Sequence, residues 1–247
     1  LKESKSRNTI QSLSIGLSII DVVVSARKPL HISEIQETTK ITKSNLYKYL
    51  NTLIQENWLY REHSTGLYHL GSKLVQYSAT AVAKQDMIYS IAPHMEEISK
   101  RTGSTVLYAI PTVDGPVISK IWNSNHVAIN IGAETGALLP LNSAVGKVFY
   151  VFSDHARRNQ ELQEALSKTD LSEAEYEMIL QEKIAFAKEP LISEISSMAV
   201  PVLTENGKLA GIVGVVGFSS HIPRSTDTAI SRYLQDMQEV VSGEFRN

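Results

Sequence analysis

Residues 42–55 carry two opposed surfaces on one helical period. Leu46, Tyr49, Leu50 and Leu53 stand at i, i+3, i+4 and i+7 and form an inward stripe, while Ser44, Tyr47, Lys48 and Asn51 repeat that spacing on the opposite side. A helix so divided needs a core beneath it and turns hydroxyl, amide and ammonium groups outward. Thr42 stands where a cap belongs. Just upstream, Ser33-Glu34-Ile35-Gln36 fits a capping box, Ser first and Gln three residues on, which starts a short helix ending at about Thr39. Lys40-Ile41 supplies the turn between the two. A short helix, a tight turn and a longer helix are the pattern of a helix-turn-helix. A further helix over residues 9–25 is expected from the stripe Ile10, Leu13, Leu17, Ile20 and Val24, stopped by Arg27-Lys28-Pro29.

Two β-prone runs follow directly, Trp58-Leu59-Tyr60-Arg61 and Gly66-Leu67-Tyr68-His69-Leu70, around a polar tip at Glu62-His63-Ser64-Thr65. Gly66 can take the positive φ that such a turn needs. A hairpin placed after a recognition helix is a wing, and Arg61 and Thr65 at its tip would lie along a phosphate backbone, positioning rather than specifying. Thr42, Lys43, Ser44, Asn45, Tyr47 and Lys48, with Ser33 at the start of the short helix, are the candidate DNA contacts in the helical part. Charge is divided to match. Residues 1–75 hold ten Lys/Arg against six Asp/Glu and the remainder fourteen against twenty, so a basic front sits on an acidic body although the net charge is only −2.

Several classes of function find no support. Without cysteine there are no disulfides, thiolate metal sites or cysteine nucleophiles. The seven histidines have no ligand spacing, and no P-loop, G-x-G-x-x-G or G-x-S-x-G occurs, so no metal, cofactor or catalytic residue is assigned and the chain is expected not to be an enzyme. No run of eighteen apolar residues is long enough to span a membrane, and residues 1–5 lack the apolar core of a secretory signal; a cytoplasmic protein is the expectation.

Downstream, residues 70–83 read as a helix with Leu74, Tyr77 and Ala81 on one side, and Ile88, Ile91, Met95 and Ile98 mark another. Strands are expected at 105–110, 117–122 and 127–131. Two helices follow between 147 and 188, the second capped by Ser172. Then comes a hairpin, 198–204 and 209–218, around Asn206-Gly207. A last helix carries Ile230, Tyr233, Leu234, Met237 and Val241. Strands, then helices, then a hairpin indicate an α+β domain. Gly211, Gly214 and Gly217 recur every third residue in the last strand; they serve sheet bending or close approach, and also leave room for a ligand against the strand.

The segments Pro29-Leu30-His31-Ile32-Ser33-Glu34-Ile35, residues 41–53 from Ile41-Thr42-Lys43 on, and Gly66-Leu67-Tyr68-His69-Leu70-Gly71 resemble the isocitrate lyase regulator (IclR-type) family of bacterial transcription factors. The likeness continues through Arg101-Thr102-Gly103-Ser104-Thr105-Val106, Gly136-Ala137-Leu138-Leu139-Pro140-Leu141-Asn142-Ser143-Ala144-Val145-Gly146-Lys147, Phe186-Ala187-Lys188-Glu189 and Ile195-Ser196-Ser197-Met198. The resemblance implies a winged helix-turn-helix over 1–70, a linker helix over 71–86 and, over 87–247, a GAF-like domain with an antiparallel sheet flanked by helices. It further implies a repressor that binds double-stranded operator DNA as a homodimer or dimer of dimers and responds to a small-molecule effector.

Carried over residue by residue, the effector pocket would use Asn142, Ser143, Ala144, Glu189, Ser197, Gly214 and Val216. The chain departs from the family pattern here. Lys48 stands for a usual Arg, Asn142 for a common His, Ser197 for a frequent Cys, and Glu194 stands near a usual Gly. Gly214 and Val216 stand where members that bind small keto acids carry serines. Fewer hydroxyls point to a ligand more apolar than glyoxylate, unless these polar residues simply satisfy loop backbone. The competing class is a metabolite-binding protein or enzyme that keeps a vestigial winged helix for protein contacts.

Overall fold

The structure is a computed structural model that describes residues 9–81, 85–123, 134–166 and 171–245. The chain divides into two compact units, Leu1–Gln85 and Asp86–Asn247.

In the first unit α1 (Gln11–Ala26), α2 (Ile32–Thr39) and α3 (Lys43–Gln55) precede a hairpin of β1 (Leu59–Arg61) and β2 (Tyr68–Leu70), then α4 (Ser72–Ala81). Leu46, Leu50 and Leu53 of α3 are buried as their spacing requires, packing with Ile19, Ile35 and Tyr68. The α1 stripe behaves differently. Only Ile20 enters the core, beside Ile19 and Val23, while Ile10, Leu13, Leu17 and Val24 stay exposed, Leu13 at 60% and Leu17 at 47%. Because α1 is apolar nearly all round, its periodicity allowed more than one buried side, and packing on α2 and β2 made the choice.

The start of α2 also differs from expectation. The cap is His31, two residues before Ser33, because Glu34 reaches back to accept the His31 N–H at 2.8 Å. Lys28 Nζ donates to the same carboxylate at 2.9 Å. The His31 N–H and then the Lys28 ammonium hold the Glu34 carboxyl below the usual carboxylate range. A carboxylate satisfies a helix N-terminus better than the neutral amide of Gln36. The wing forms as expected, with Arg61 paired to Tyr68 and Gly66 at φ +73°. Leu30 ties the start of α2 to it, donating to Tyr68 O at 3.1 Å and accepting from Tyr68 N–H at 2.9 Å. In α4, Leu74 packs on the core and Tyr77 meets Trp58 edge-on at 5.4 Å.

The second unit opens with α5 (Gln85–Thr102), whose Ile91, Met95 and Ile98 are fully buried, then β3 (Thr105–Pro111) and β4 (Pro116–Trp122). The strand expected at 127–131 lies outside the described residues. Where two helices were expected, the described residues form α6 (Ala144–Phe152), α7 (Asp154–Arg158), α8 (Gln160–Leu166) and α9 (Glu173–Glu182). Ser153 ends α6 and recaps the chain by accepting from Ala156 N–H at 3.2 Å, which breaks the run into shorter pieces. Ser172 caps α9 from Glu175 N–H at 3.2 Å.

A short strand that no pattern announced, β5 (Ala185–Ala187), leads to β6 (Ile195–Leu203), β7 (Leu209–Phe218) and α10 (Ala229–Gly243). The β6–β7 turn is longer than a two-residue one. Thr204 N–H donates to Lys208 O at 2.9 Å around Glu205-Asn206-Gly207, and of these only Gly207 is left-handed, at φ +70°. A two-residue type I′ turn would need positive φ at both central positions.

Among the described residues the sheet runs β4-β3-β7-β6-β5, antiparallel throughout. It is covered on both sides. Val106, Tyr108, Met198, Val200 and Val213 pack with α5 and α10, and Leu107, Ala109, Ala199 and Ile212 pack with α6 and α9. The period-two alternation of β3, β6 and β7 thus serves two cores at once. Burial pushes the Tyr108 phenol well above its ordinary range, and its hydroxyl donates to Ala210 O at 3.3 Å.

Candidate functional site

On α3 the outward side is open. Thr42, Lys43, Ser44, Asn45, Lys48 and Asn51 are exposed, and so is Tyr47 at 40%. Neither Lys43 nor Lys48 has a carboxylate within ion-pair distance among the described residues, whereas Lys28 and Lys73 are paired with Glu34 and Glu56. Thr42 caps by its backbone only, accepting from Leu46 N–H at 2.9 Å, and its side chain makes no cap bond. The N–H groups of the first turn of α3 therefore point outward beside two free ammonium groups, an arrangement that holds phosphate oxygens.

Ser33 and Thr42 share one shallow depression with Lys40, a cation at φ +58° in the turn that no sequence pattern had marked as part of this surface. The wing comes close to α3 at Tyr68. Burial raises the Tyr68 phenol pKa, Arg61 opposes that rise and the Tyr47 hydroxyl adds to it, while the Arg61 guanidinium stands 5.7 Å from the Tyr68 ring centre. Thr65 is less available, because the Glu62 carboxylate takes its hydroxyl and Leu67 N–H donates to it at 3.3 Å.

The second unit holds a small, partly open apolar cavity between the sheet and the start of α6. Ser143, Ser197 and Val216 line it, and Ser197 and Val216 face each other in register across β6 and β7. The other expected residues stand around it. Asn142 is exposed and donates from Nδ2 to Pro190 O at 3.1 Å. Ala144 offers its N–H to Ser197 Oγ at 3.4 Å. Glu189 is not among the lining residues; its carboxylate accepts from Ser219 Oγ at 3.0 Å, and its N–H donates to Ser196 Oγ at 3.3 Å.

Gly214 is filled by the chain itself. A Cβ there would meet Val145 Cγ2 at 2.7 Å and Leu107 Cδ1 at 3.0 Å, so this glycine lets two wall residues lie flat on the sheet rather than leaving room for a ligand. The space before Gly211 and Gly217 is likewise taken, by Tyr108 and Ser104. Of the rest of the wall, Leu139, Val145, Ile195 and Ser196 lie in the family-like segments without being assigned to the pocket, and Leu107 and residues 190–192 carry no motif. The apolar pair Leu191-Ile192 inside a polar connection was the signal available. Lys147, one turn into α6, fixes that helix by donating to Glu175 at 2.6 Å and to Phe186 O at 3.0 Å.

Among the described residues no helix is long and apolar enough to cross a membrane, and no group of three or more His, Cys, Asp or Glu is placed to hold a metal ion. A winged helix-turn-helix with an exposed cationic face on α3, carried with an α+β domain that holds a small apolar cavity, has the make-up of a DNA-binding transcriptional regulator. The helix-turn-helix model of the IclR family matches residues 12–63, and the model for the C-terminal part of bacterial transcriptional regulators of the IclR type matches residues 79–243. The chain belongs to the IclR family.

It is 22% identical over 247 residues to the DNA-binding transcriptional repressor YiaJ of Escherichia coli (strain K12), covering 95% of this chain and 87% of that protein. It is 24% identical to the HTH-type transcriptional regulator XynR of the same organism, covering 93% and 94%. Among solved structures, the Thermotoga maritima IclR is similar at a TM-score of 0.69 and 22% identity, covering 96% of this chain and 98% of that one. An IclR homolog complexed with 4-hydroxybenzoate, from Microbacterium hydrocarbonoxydans, is similar at a TM-score of 0.73 and 15% identity, covering 95% and 99%. At these identities the structural likeness speaks to the fold.

Proposed function

We propose that this regulator is a cytoplasmic repressor that reads a two-fold operator as a homodimer, or a dimer of dimers, and responds to a small molecule held in the cavity beside α6. In this reading residues 1–70 contact DNA, 71–86 link, and 87–247 sense. The observation that carries it is the outward side of α3, where Lys43, Ser44, Tyr47 and Lys48 are exposed and both ammonium groups lack carboxylate partners among the described residues. Ser33, Asn45 and Thr42 extend that face, and Arg61 and Thr65 supply the wing. The repressor sense draws on the similarity to a transcriptional repressor, and the effector site on a similar fold that holds an aromatic acid. An effector acts only through a difference in its affinity for the DNA-bound and free states.

Fluorescence anisotropy with the DNA upstream of the gene for this chain tests the reading. Binding at about 10 nM or tighter, weakening steeply with salt, is expected. No binding at low salt, together with turnover of a metabolite, would establish the enzyme alternative instead.

The dimer draws on a surface that the first unit leaves uncovered. Ile10, Leu13, Leu17 and Val24 form an exposed apolar stripe along α1, and Val24 shares a depression with Leu70. A second copy of the chain is the occupant proposed for it, since a two-fold operator brings two such units side by side. The pair Leu13→Glu and Leu17→Glu is expected to weaken binding to a two-fold site by about tenfold or more. Half-site binding should be unchanged. Equal loss on both sites would show that α1 does not join protomers.

A further inference from the structure

We propose that the cavity beside α6 accepts an uncharged, mainly apolar small molecule bearing a hydrogen-bond acceptor, and rejects carboxylates. This rests on the reading of that cavity as the effector site and names the class of ligand it takes.

Among the described residues that line the cavity there is no Lys, Arg or His; eight are apolar, and the three polar ones are Ser143, Ser196 and Ser197. Two of these three hydroxyls are already engaged as both donor and acceptor. Ser143 Oγ donates to Pro140 O at 2.7 Å and accepts from Gly146 N–H at 3.0 Å. Ser196 Oγ donates to Ser219 Oγ at 2.7 Å, since the Ser219 proton goes to Glu189, and accepts from Glu189 N–H. Ser197 Oγ accepts from Ala144 N–H, which leaves its own proton as a donor toward the cavity.

The start of α6 would ordinarily favour an anion. Here Ser197 and Ser143 cover two of its first three N–H groups, at Ala144 and Gly146. A formal negative charge is tied to the wall, because Glu189 precedes the lining residue Pro190 and accepts from Ser219, which is bonded to lining Ser196. The nearby cation on α6, Lys147, is spent on Glu175 and Phe186. A carboxylate entering this space would exchange full hydration for one or two neutral donors beside a like charge, which costs far more than an amide, ester or ketone would lose.

The outer wall agrees with an apolar guest. Residues 190–192 form a strap whose Leu191 and Ile192 line the cavity yet remain 61% and 41% exposed. Asn142 pins the strap at Pro190 O, and Glu189 and Glu194 at its two ends both hold left-handed backbone, φ +47° and +65°. An apolar ligand gives these two side chains the cover that the chain itself does not.

Two shape-matched pairs serve as probes: benzamide with benzoate, and hexanamide with hexanoate, each titrated calorimetrically into the full chain at neutral pH. Each amide is expected to bind about tenfold or more tightly than its acid, with a negative heat-capacity change. Val216→Trp, which fills the cavity, should abolish that binding, and Leu139→Trp on another part of the wall repeats the test should the first variant fail to fold. Acids bound as tightly as amides, or no binding by any of the four at millimolar concentration, overturn the proposal. Acid binding that Val216→Trp abolishes would sink the ligand class while leaving the effector site standing. Probe binding indifferent to both tryptophans would sink the effector site itself.

Discussion

Replacing both Lys43 and Lys48 with alanine is expected to weaken operator binding on the order of 100-fold and to flatten its salt dependence. Both ammonium groups lie on the exposed side of α3 and neither is neutralised by a neighbouring carboxylate among the described residues, so their field acts outward in full. Each phosphate that goes unneutralised reduces the slope of log K against log salt by about 0.9, so a dimer deprived of four such ammonium groups would show a slope shallower by up to about 3.6. The substitution should leave the fold intact, because the buried side of α3, Leu46, Leu50 and Leu53, is untouched and alanine is a good helix former. Anisotropy titrations over a range of salt, with circular dichroism to confirm the fold, measure both effects. An unchanged affinity and slope would remove α3 as the recognition helix.

Gly146→Ala should damage the second unit itself. A Cβ at this position would sit on the Pro140 carbonyl oxygen and 2.5 Å from Leu141 Cα, and both obstacles are backbone that cannot rotate away. Relief requires α6 to lift from the loop before it, and α6 buries Val145, Val148, Phe149 and Val151 in the core shared with α9. Overpacking of this kind costs about 3 kcal/mol or more. For a unit of this size that corresponds to a fall in melting temperature of about 6–12 °C. The same displacement moves Val145 and the Ser143 cap, so probe binding in the cavity should be lost together with stability. Calorimetric melting of the full chain reads the first effect and titration the second. A melting profile within a degree of the unsubstituted chain would show that the loop at 140–142 yields more easily than its packing implies.

What was legible in the sequence is what local period and local chemistry control. The division of α3 into a leucine side and a polar side follows from 3.6 residues per turn, and Leu46, Leu50 and Leu53 are buried accordingly; the ranges of β3 and β7 were readable as β-prone runs. The cap at Ser172 and the wing turn at Gly66 were readable for the same reason, since each is settled within a few residues. The pocket was readable only in part. Ser143, Ser197 and Val216 reach it, but Asn142 and Glu189 are turned to holding the strap.

The tertiary structure alone decided which partner each apolar or charged group would find. An apolar side chain in a sequence declares that it seeks cover without saying what covers it, so Leu13 and Leu17 looked like core and became surface, while Ile19 and Val23 went inside. Leu191 and Ile192 looked like loop and became a cavity wall. Gly214 offered either close approach or room for a ligand, and the packing of Val145 and Leu107 decided for close approach. Periodicity is carried by bonds along the chain. Cover is carried by contacts between residues far apart in it, and those exist only once the chain has closed on itself.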